Sequence, residues 1–351
     1  MNSIERVKAA IQLKKVDRIP VFFELAGETD IKELYIGPPK NWRPKRFAPF
    51  VFDLENYAEE GYEKKEDEWG VVWGYGETLA ASGIVEEYPI KSLDDIEKYQ
   101  FPDPFAAGRF NNIISKIDEY DGKYCYATWY GLLFERLHYL YGFEKTLLDL
   151  VTDLDRLEIL LDKVLDFQLK IIRNLGRSLK GKIQAFASTE DWGGQTNLFI
   201  DPKLWRKVFK PRYAMIGEEI HKQGLDFWLH SDGRIEEIIP DLKEVGVDVF
   251  VLCTPRLLGI KEFGQRFAGK GCYCLFIDTQ KTAVDGTLEE IEKDASDLVK
   301  YWSNDYGSGV IAMDYRGNEI YQGKYDKAEI IQRKKVALSS FKKAFYEKIK
   351  N

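Results

Sequence analysis

Seven short apolar runs recur along the chain, each followed by a polar loop and a helix-like stretch, and this alternation constrains the fold more than any other feature. The runs are RIPVFFELA (18–26), KYCYATWYG (123–131), GKIQAFAST (181–189), LDFWLHS (225–231), VDVFVLCT (247–254), CYCLFIDT (272–279) and SGVIAMDY (308–315). They are rich in β-branched and aromatic residues with little polar alternation, as parallel strands covered on both faces require. The helical stretches between them are punctuated. Asp201-Pro202 supplies an N-cap and a first-turn proline, Pro211 bends or breaks the helix that follows, and Gly224 ends it. Thr287 to Glu290 has the spacing of a capping box.

Strand–helix alternation of this kind predicts an α/β chain folded as a single TIM (β/α)8 barrel over residues 1–351, with a doubly wound sheet as the other arrangement. An eighth strand is expected in the weak stretch 71–80. Residues 60–105 break the rhythm, turning like a hairpin before FPDPF (101–105), and read as an N-terminal hairpin-bearing insertion on the barrel. With 351 residues and 44% hydrophobic content, the chain has ample material for such a core.

A net charge of −7 argues against nucleic acid or an anionic membrane as the main partner. The N-terminal MNSIERVKAAIQLKK lacks the apolar stretch of a signal peptide, and no run approaches the length of a membrane span. Four cysteines in so long a chain read as reduced thiols. A cytoplasmic protein is the expectation.

In a barrel, reactive groups gather at the C-terminal ends of the strands. Those ends here carry Glu24, Glu190, Asp191, His230, Asp232, Thr254, Asp278, Thr279, Gln280 and Asp314. His230 is one of only three histidines. It is either a core histidine bonded to a backbone carbonyl or a site residue. His and Asp two apart on an extended segment face the same way, which suits a metal-ligand pair or a base with its partner. Asp232, followed by Gly233 and RIEEII, is either that partner or the N-cap of the next helix. Asp278 is open to closing a turn, and Asp314 to an ion pair. Cys272 and Cys274 share a strand face but precede its end, and read as core residues; Cys253 is nearer a loop mouth. No G-x-S-x-G elbow and no glycine-rich phosphate loop after a strand is present.

Several stretches together resemble the uroporphyrinogen decarboxylase superfamily: DRIPVFFELAGE, DEWGVVW, FPDP, LFERLHYLYGFEKTLLDLVTD, EDWGGQTNLFIDPKLWRKVFKPRY, LHSDGRIEEIIPDLKEVGVDV, and IDTQ followed by GTLEEIE. The resemblance runs over nearly the whole chain and implies a barrel of the decarboxylase and corrinoid-dependent methyltransferase type. Members acting on uroporphyrinogen carry two arginines around an Ala-Gly pair that grip the substrate's carboxylates. Here those positions are Glu24 and Glu28, which would repel them. The methyltransferase branch is more similar. Its zinc is held by an H-x-C pair and a later cysteine; His230 matches, but Asp232 stands at the H-x-C cysteine and the late cysteine is missing, with Asp314 nearest its place.

The resemblance therefore implies methyl transfer between a small methylated ether, amine or pterin and a corrinoid, carried free or by a corrinoid protein. His230, Asp232 and Asp191 are the candidate catalytic groups, and His230 with Asp232 the candidate ligands of a divalent metal. Glu24, Arg136, Gln195, Asp278 and Asp314 are candidate substrate contacts, Arg136 alternatively pairing with Glu135. A decarboxylase of a smaller acid, gripped by Arg136 or Arg316, and a non-catalytic ligand-binding barrel are the other readings.

Overall fold

The computed structural model describes residues 1–50, 63–75, 83–315, 319–321 and 323–350. Eight parallel strands form a nearly closed barrel: β1 Val21–Phe23, β2 Ile31–Tyr35, β3 Tyr124–Trp129, β4 Ala185–Thr189, β5 Asp226–His230, β6 Val249–Val251, β7 Cys272–Leu275 and β8 Val310–Met313. Hydrogen-bonded neighbours run β1-β8-β7-β6-β5-β4-β3-β2. All seven apolar runs contribute a strand. The eighth is β2, registered in parallel against β3 from Ile31↔Tyr124 to Tyr35↔Thr128, and not the stretch 71–80. Of that stretch Val72–Tyr75 belongs to a separate antiparallel sheet with Glu63–Glu66 and Ile84–Glu87, and residues 76–80 lie outside the described residues.

IKELY escaped the apolar criterion because two of its polar side chains are satisfied within the fold. Glu33 accepts a hydrogen bond from the Thr128 hydroxyl (2.7 Å), and Lys32 pairs with Glu24 (2.5 Å). No helix joins β1 to β2. The chain returns instead through Glu28–Thr29, antiparallel to β1.

Strand register shows which side chains fill the barrel. Tyr126 on β3 stacks on Trp228 on β5 (centroids 5.1 Å apart) across intervening Ala185 and Ala187 of β4, and meets Phe22 of β1 edge-on (6.3 Å). Small residues on one strand thus make room for large ones on its neighbours. The insertion shares this core: Trp69, Val71, Trp73 and Ile90 are buried in the same cluster.

The N-terminal helix Ser3–Ile11, capped by Asn2 and Glu5, lies against β3 and β8, and its Lys8 reaches Asp226 at the start of β5 (2.7 Å). Nearby, the fully buried Asp30 accepts from Ser3 Oγ, Arg6 Nη1, both Arg18 Nη atoms and Val21 N–H, at 2.6–3.0 Å. Burial alone would raise this carboxyl, but the Arg18 and Val21 bonds outweigh it and hold it below its usual pKa. Asp30→Asn is expected to lose about 2 kcal/mol in urea denaturation at neutral pH, since it strips two arginines of their shared anion while Arg18 keeps access to water. A change within ~0.5 kcal/mol would show that this network does not tie the barrel base together.

Among the described residues, no helix is long and apolar enough to cross a membrane. The helix signals act as read: Asp201 caps Pro202–Val208, Thr287 closes its capping box, and Pro211 marks a break before Lys210–Lys222.

Candidate active site

His230 is the last residue of β5. Its C=O accepts from Glu190 N–H (2.9 Å) and the next N–H, of Ser231, donates to Val251 C=O (3.2 Å), so the backbone is held on both sides. Nε2 lies 3.7 Å from Asp191 Oδ1 and 3.8 Å from Asp232 Oδ2, and Nδ1 lies 3.8 Å from Cys253 Sγ. The side chain is 24% exposed while Trp228 and Leu229 before it are buried. The strand therefore carries the imidazole out of the wall to the mouth.

Burial disfavours the imidazolium, but the charges of Asp232, Asp191 and Glu135 outweigh it and hold His230 above its usual pKa. Burial raises Asp232 against the opposing pull of His230. It also pushes the Cys253 thiol well up, with Asp232 adding to the effect.

Two more carboxyls lie buried beside this group. Glu190 sits at the N-terminus of helix Phe134–Tyr141, where it accepts from Leu133 N–H and from Glu135 N–H (2.6 Å). Glu135 accepts from the Thr189 hydroxyl (2.5 Å) and from Asp191 N–H (3.3 Å). Burial pushes both up, to about 8, and for Glu135 the nearby Asp191 and Glu190 add to it.

The loops after β4 and β5 are pinned together glycine on glycine. A Cβ on Gly233, which has φ +79°, would stand 2.0 Å from Gly193 O, and one on Gly193 would stand 2.4 Å from Arg234 N. This approach lets Asp232 N–H donate to Asp191 Oδ1 (2.7 Å) and Arg234 N–H to Gly194 O (3.0 Å). Both carboxylates are thereby presented to one imidazole.

His230, Asp232 and Asp191 thus come together. The helix that Asp232 was open to capping does not start there; the next helix begins at Ile239, and Asp232 Oδ1 instead accepts from Cys253 N–H (3.1 Å). The other candidates are placed elsewhere. Glu24 pairs with Lys32 and Asp314 with the buried Lys334 (2.9 Å). Asp278 shapes its own loop, accepting from the N–H groups of Arg256, Gln280 and Lys281. Gln195 is exposed in the turn closed by the Gly193↔Leu198 bridge. Arg136 is buried over the Trp69 ring (4.5 Å), donating to Tyr130 C=O, and its nearest carboxylate is Asp67 (3.9 Å) rather than Glu135. Arg316 lies outside the described residues.

Cys272 and Cys274 are core residues of β7. Sequence reading gave Cys253 no role at His230 and named Glu135 only as an ion-pair partner for Arg136, not as a neighbour of Asp191. The signal for Cys253 was its parity: Val249, Val251 and Cys253 alternate on one face, and register puts Val251 beside His230.

The remaining histidines are accounted for. His221 pairs with Asp248 (2.8 Å). His138 is packed among Phe134, Tyr139 and Phe143, and burial, helped by Arg136, lowers its pKa to about 3. Below about pH 6.5 the unfolded chain takes up a proton here that the folded chain refuses, so this site costs up to ~1.4 kcal/mol per pH unit on acidification. The loss continues until the folded pKa of about 3 is reached. His138→Phe should flatten the fall in stability from about pH 6 to 4 relative to the parent; parallel curves would place this ring in water.

Barrel and mouth define a superfamily TIM-barrel architecture with a polar cluster where such enzymes work. Residues 75–311 match uroporphyrinogen decarboxylase (URO-D), more than half of the chain. The chain belongs to the uroporphyrinogen decarboxylase family. Among solved structures it is similar to a methyltransferase from Methanosarcina mazei, at 13% identity and TM-score 0.66, with 99% of each chain covered. A xylanase 10B from Thermotoga maritima is similar only at TM-score 0.39, with 14% identity over 69% of this chain and 81% of the xylanase. No curated protein matches significantly by sequence.

Proposed function

We propose that the protein is a methyltransferase moving a methyl group between a small methylated ether, amine or pterin and a corrinoid, free or protein-borne, in the cytoplasm. The observation that carries this reading is the convergence of His230, Asp232, Asp191 and Cys253 at the mouth of the barrel. Family membership and the likeness in fold to the Methanosarcina mazei methyltransferase support it. Glu24 and Glu28 support a substrate other than a polycarboxylate, because they stand where arginines would grip one and a carboxyl offers no such grip; Glu24 is taken up by Lys32 and Glu28 by Lys342 (2.8 Å).

Methyl transfer is an in-line displacement: the bond from methyl to its heteroatom breaks, and that atom keeps the electron pair and needs a proton or a Lewis acid. Without a metal, His230 is the group that carries this proton, with Asp191 and Asp232 orienting its ring. The donor set also fits a divalent ion. Imidazole, carboxylate and thiol atoms of His230, Asp232 and Cys253 lie within 4.8 Å of one another, a mixed set that suits zinc. Held there, zinc would supply Lewis acidity at the reacting heteroatom. Asp191 then remains outside the ligand set and orients the substrate.

Incubating the enzyme with methylated ethers, amines and pterins and free reduced cobalamin should produce methylcobalamin from at least one of them. Conversion of uroporphyrinogen instead would overturn the reading. Cobalt(II) added to the metal-free protein should give a near-ultraviolet thiolate charge-transfer band that Cys253→Ser removes. A band unchanged in that variant would take Cys253 out of the ligand set.

A further inference from the structure

Under the insertion, at the ends of β2 and β3, lies a hollow that the chemistry at His230 does not use. It measures about 60 Å³ and is walled by Tyr35, Trp69, Trp73, Trp129, Tyr130 and Arg136. A single water occupies roughly 10–15 Å³ by the same measure, so the space takes about four to six non-hydrogen atoms.

The charges around it are already balanced. Asp67 and Glu68 both line it. Asp67 accepts from the N–H groups of Trp69 and Val71 (both 2.9 Å) and from Trp73 Nε1 (3.1 Å), and Arg136 Nη1 stands 3.9 Å away. Glu68 is held by both terminal nitrogens of Arg109 (2.8 Å each). Two anions thus meet two cations. A ligand carrying net charge of either sign would upset this pairing, and an unpaired charge in a buried space is costly.

The hydrogen bonding is not balanced. Trp129 Nε1 and Arg136 Nε are buried without a partner, in residues only 6% and 4% exposed. Elsewhere the guanidinium is engaged: Nη2 donates to Tyr130 C=O, and the group lies over the Trp69 ring (4.5 Å). Buried donors are nearly always satisfied, so two orphans in one wall call for an acceptor that enters from outside. Among the described residues that line the hollow, no buried side-chain acceptor is left unmet. What fits is therefore small, uncharged, able to accept and without a donor of its own. The ring faces around the two donors suit methyl groups.

We infer that this hollow is a binding site for a compact, uncharged methylated oxide, a sulfoxide or an amine N-oxide. Its oxygen accepts from Trp129 and Arg136, and its methyl groups pack on the rings. Such a molecule concentrates negative charge on one oxygen while staying neutral as a whole, which is what the paired charges and orphaned donors together require. The site stands apart from methyl transfer, which concerns His230 and its neighbours.

Saturation-transfer NMR on the full-length protein tests this with three probes of nearly one shape: trimethylamine N-oxide, tert-butanol and tetramethylammonium. The oxide should bind saturably with a Kd of about 1 mM, the scale open to so few atoms. It should bind at least ~5-fold more tightly than tert-butanol, a weaker acceptor with a donor of its own, or tetramethylammonium, which is charged and has no oxygen. Dimethyl sulfoxide should compete with it. Trp129→Phe keeps a ring and removes the donor; it should melt as the parent does and bind the oxide about 5–10-fold more weakly. His230→Gln should bind it unchanged. A hollow that holds only water would give no saturable binding. That result, equal affinity for either control probe, unchanged affinity in Trp129→Phe, or loss of binding in His230→Gln would each overturn the assignment. The comparison of probes on the parent protein decides the matter even if Trp129→Phe does not fold. No turnover is read, so failure here leaves methyl transfer standing, and failure of methyl transfer leaves this site standing.

Discussion

His230→Gln is expected to fold as the parent does, melting within a few degrees of it, and to transfer methyl groups about a hundredfold more slowly or worse. The imidazole is partly exposed and lies 3.7–3.8 Å from Asp191, Asp232 and Cys253, with a backbone hydrogen bond at Val251 beside these contacts. A histidine packed for stability would look like His138, enclosed by rings. Glutamine preserves polarity and length but can neither shuttle a proton nor replace an imidazole ligand. Asp232→Asn should behave similarly, since no helix starts where the side chain could be acting as a cap. The measurements are melting temperature and methyl-transfer rate on both variants. A destabilised but active His230→Gln protein would show that the ring is structural, at a cost of about 1–2 kcal/mol.

The second large effect is expected at Gly233. Alanine there meets two penalties that can be separated. Its φ of +79° disfavours any side chain by about 1–2 kcal/mol, and its Cβ would collide with backbone, standing 2.0 Å from Gly193 O. Backbone cannot rotate away as a flexible side chain can. The loops must part, and with them goes the Asp232 N–H bond to Asp191 that gathers both carboxylates at His230. Gly122→Ala is the matched control, having φ +73° and no atom within 4 Å of its Cβ position. We expect the control to lose only the conformational ~1–2 kcal/mol and remain active. Gly233→Ala should lose about 2 kcal/mol more, and the protein that remains folded should be as slow as His230→Gln. Equal stability and activity for the two alanine variants would remove the glycine contact from the account of the site.

The sequence by itself determined the features that depend on local period and local capping. Seven of the eight barrel strands were legible because a strand covered on both faces must be apolar throughout. Asp201 and Thr287 marked helix starts because a cap acts within three residues of itself. His230 and Asp232 could be placed on one face at a strand end from a spacing of two alone.

Tertiary structure decided what depends on partners distant in the chain. Ile31–Tyr35 was hidden because the Thr128 hydroxyl satisfies Glu33 and Glu24 satisfies Lys32, pairings that exist only once β3 and the turn after β1 are in place. Asp314 resembled a site residue until Lys334, 20 positions on, took its charge. Cys253 reached His230 through the register of β5 on β6, and Glu135 reached Asp191 through a helix whose start is anchored by Glu190. Side-chain period states which face a residue occupies. Only the packed barrel states which face of another segment it meets, because Coulomb attraction and hydrogen bonding act over a few ångströms whatever the separation along the chain.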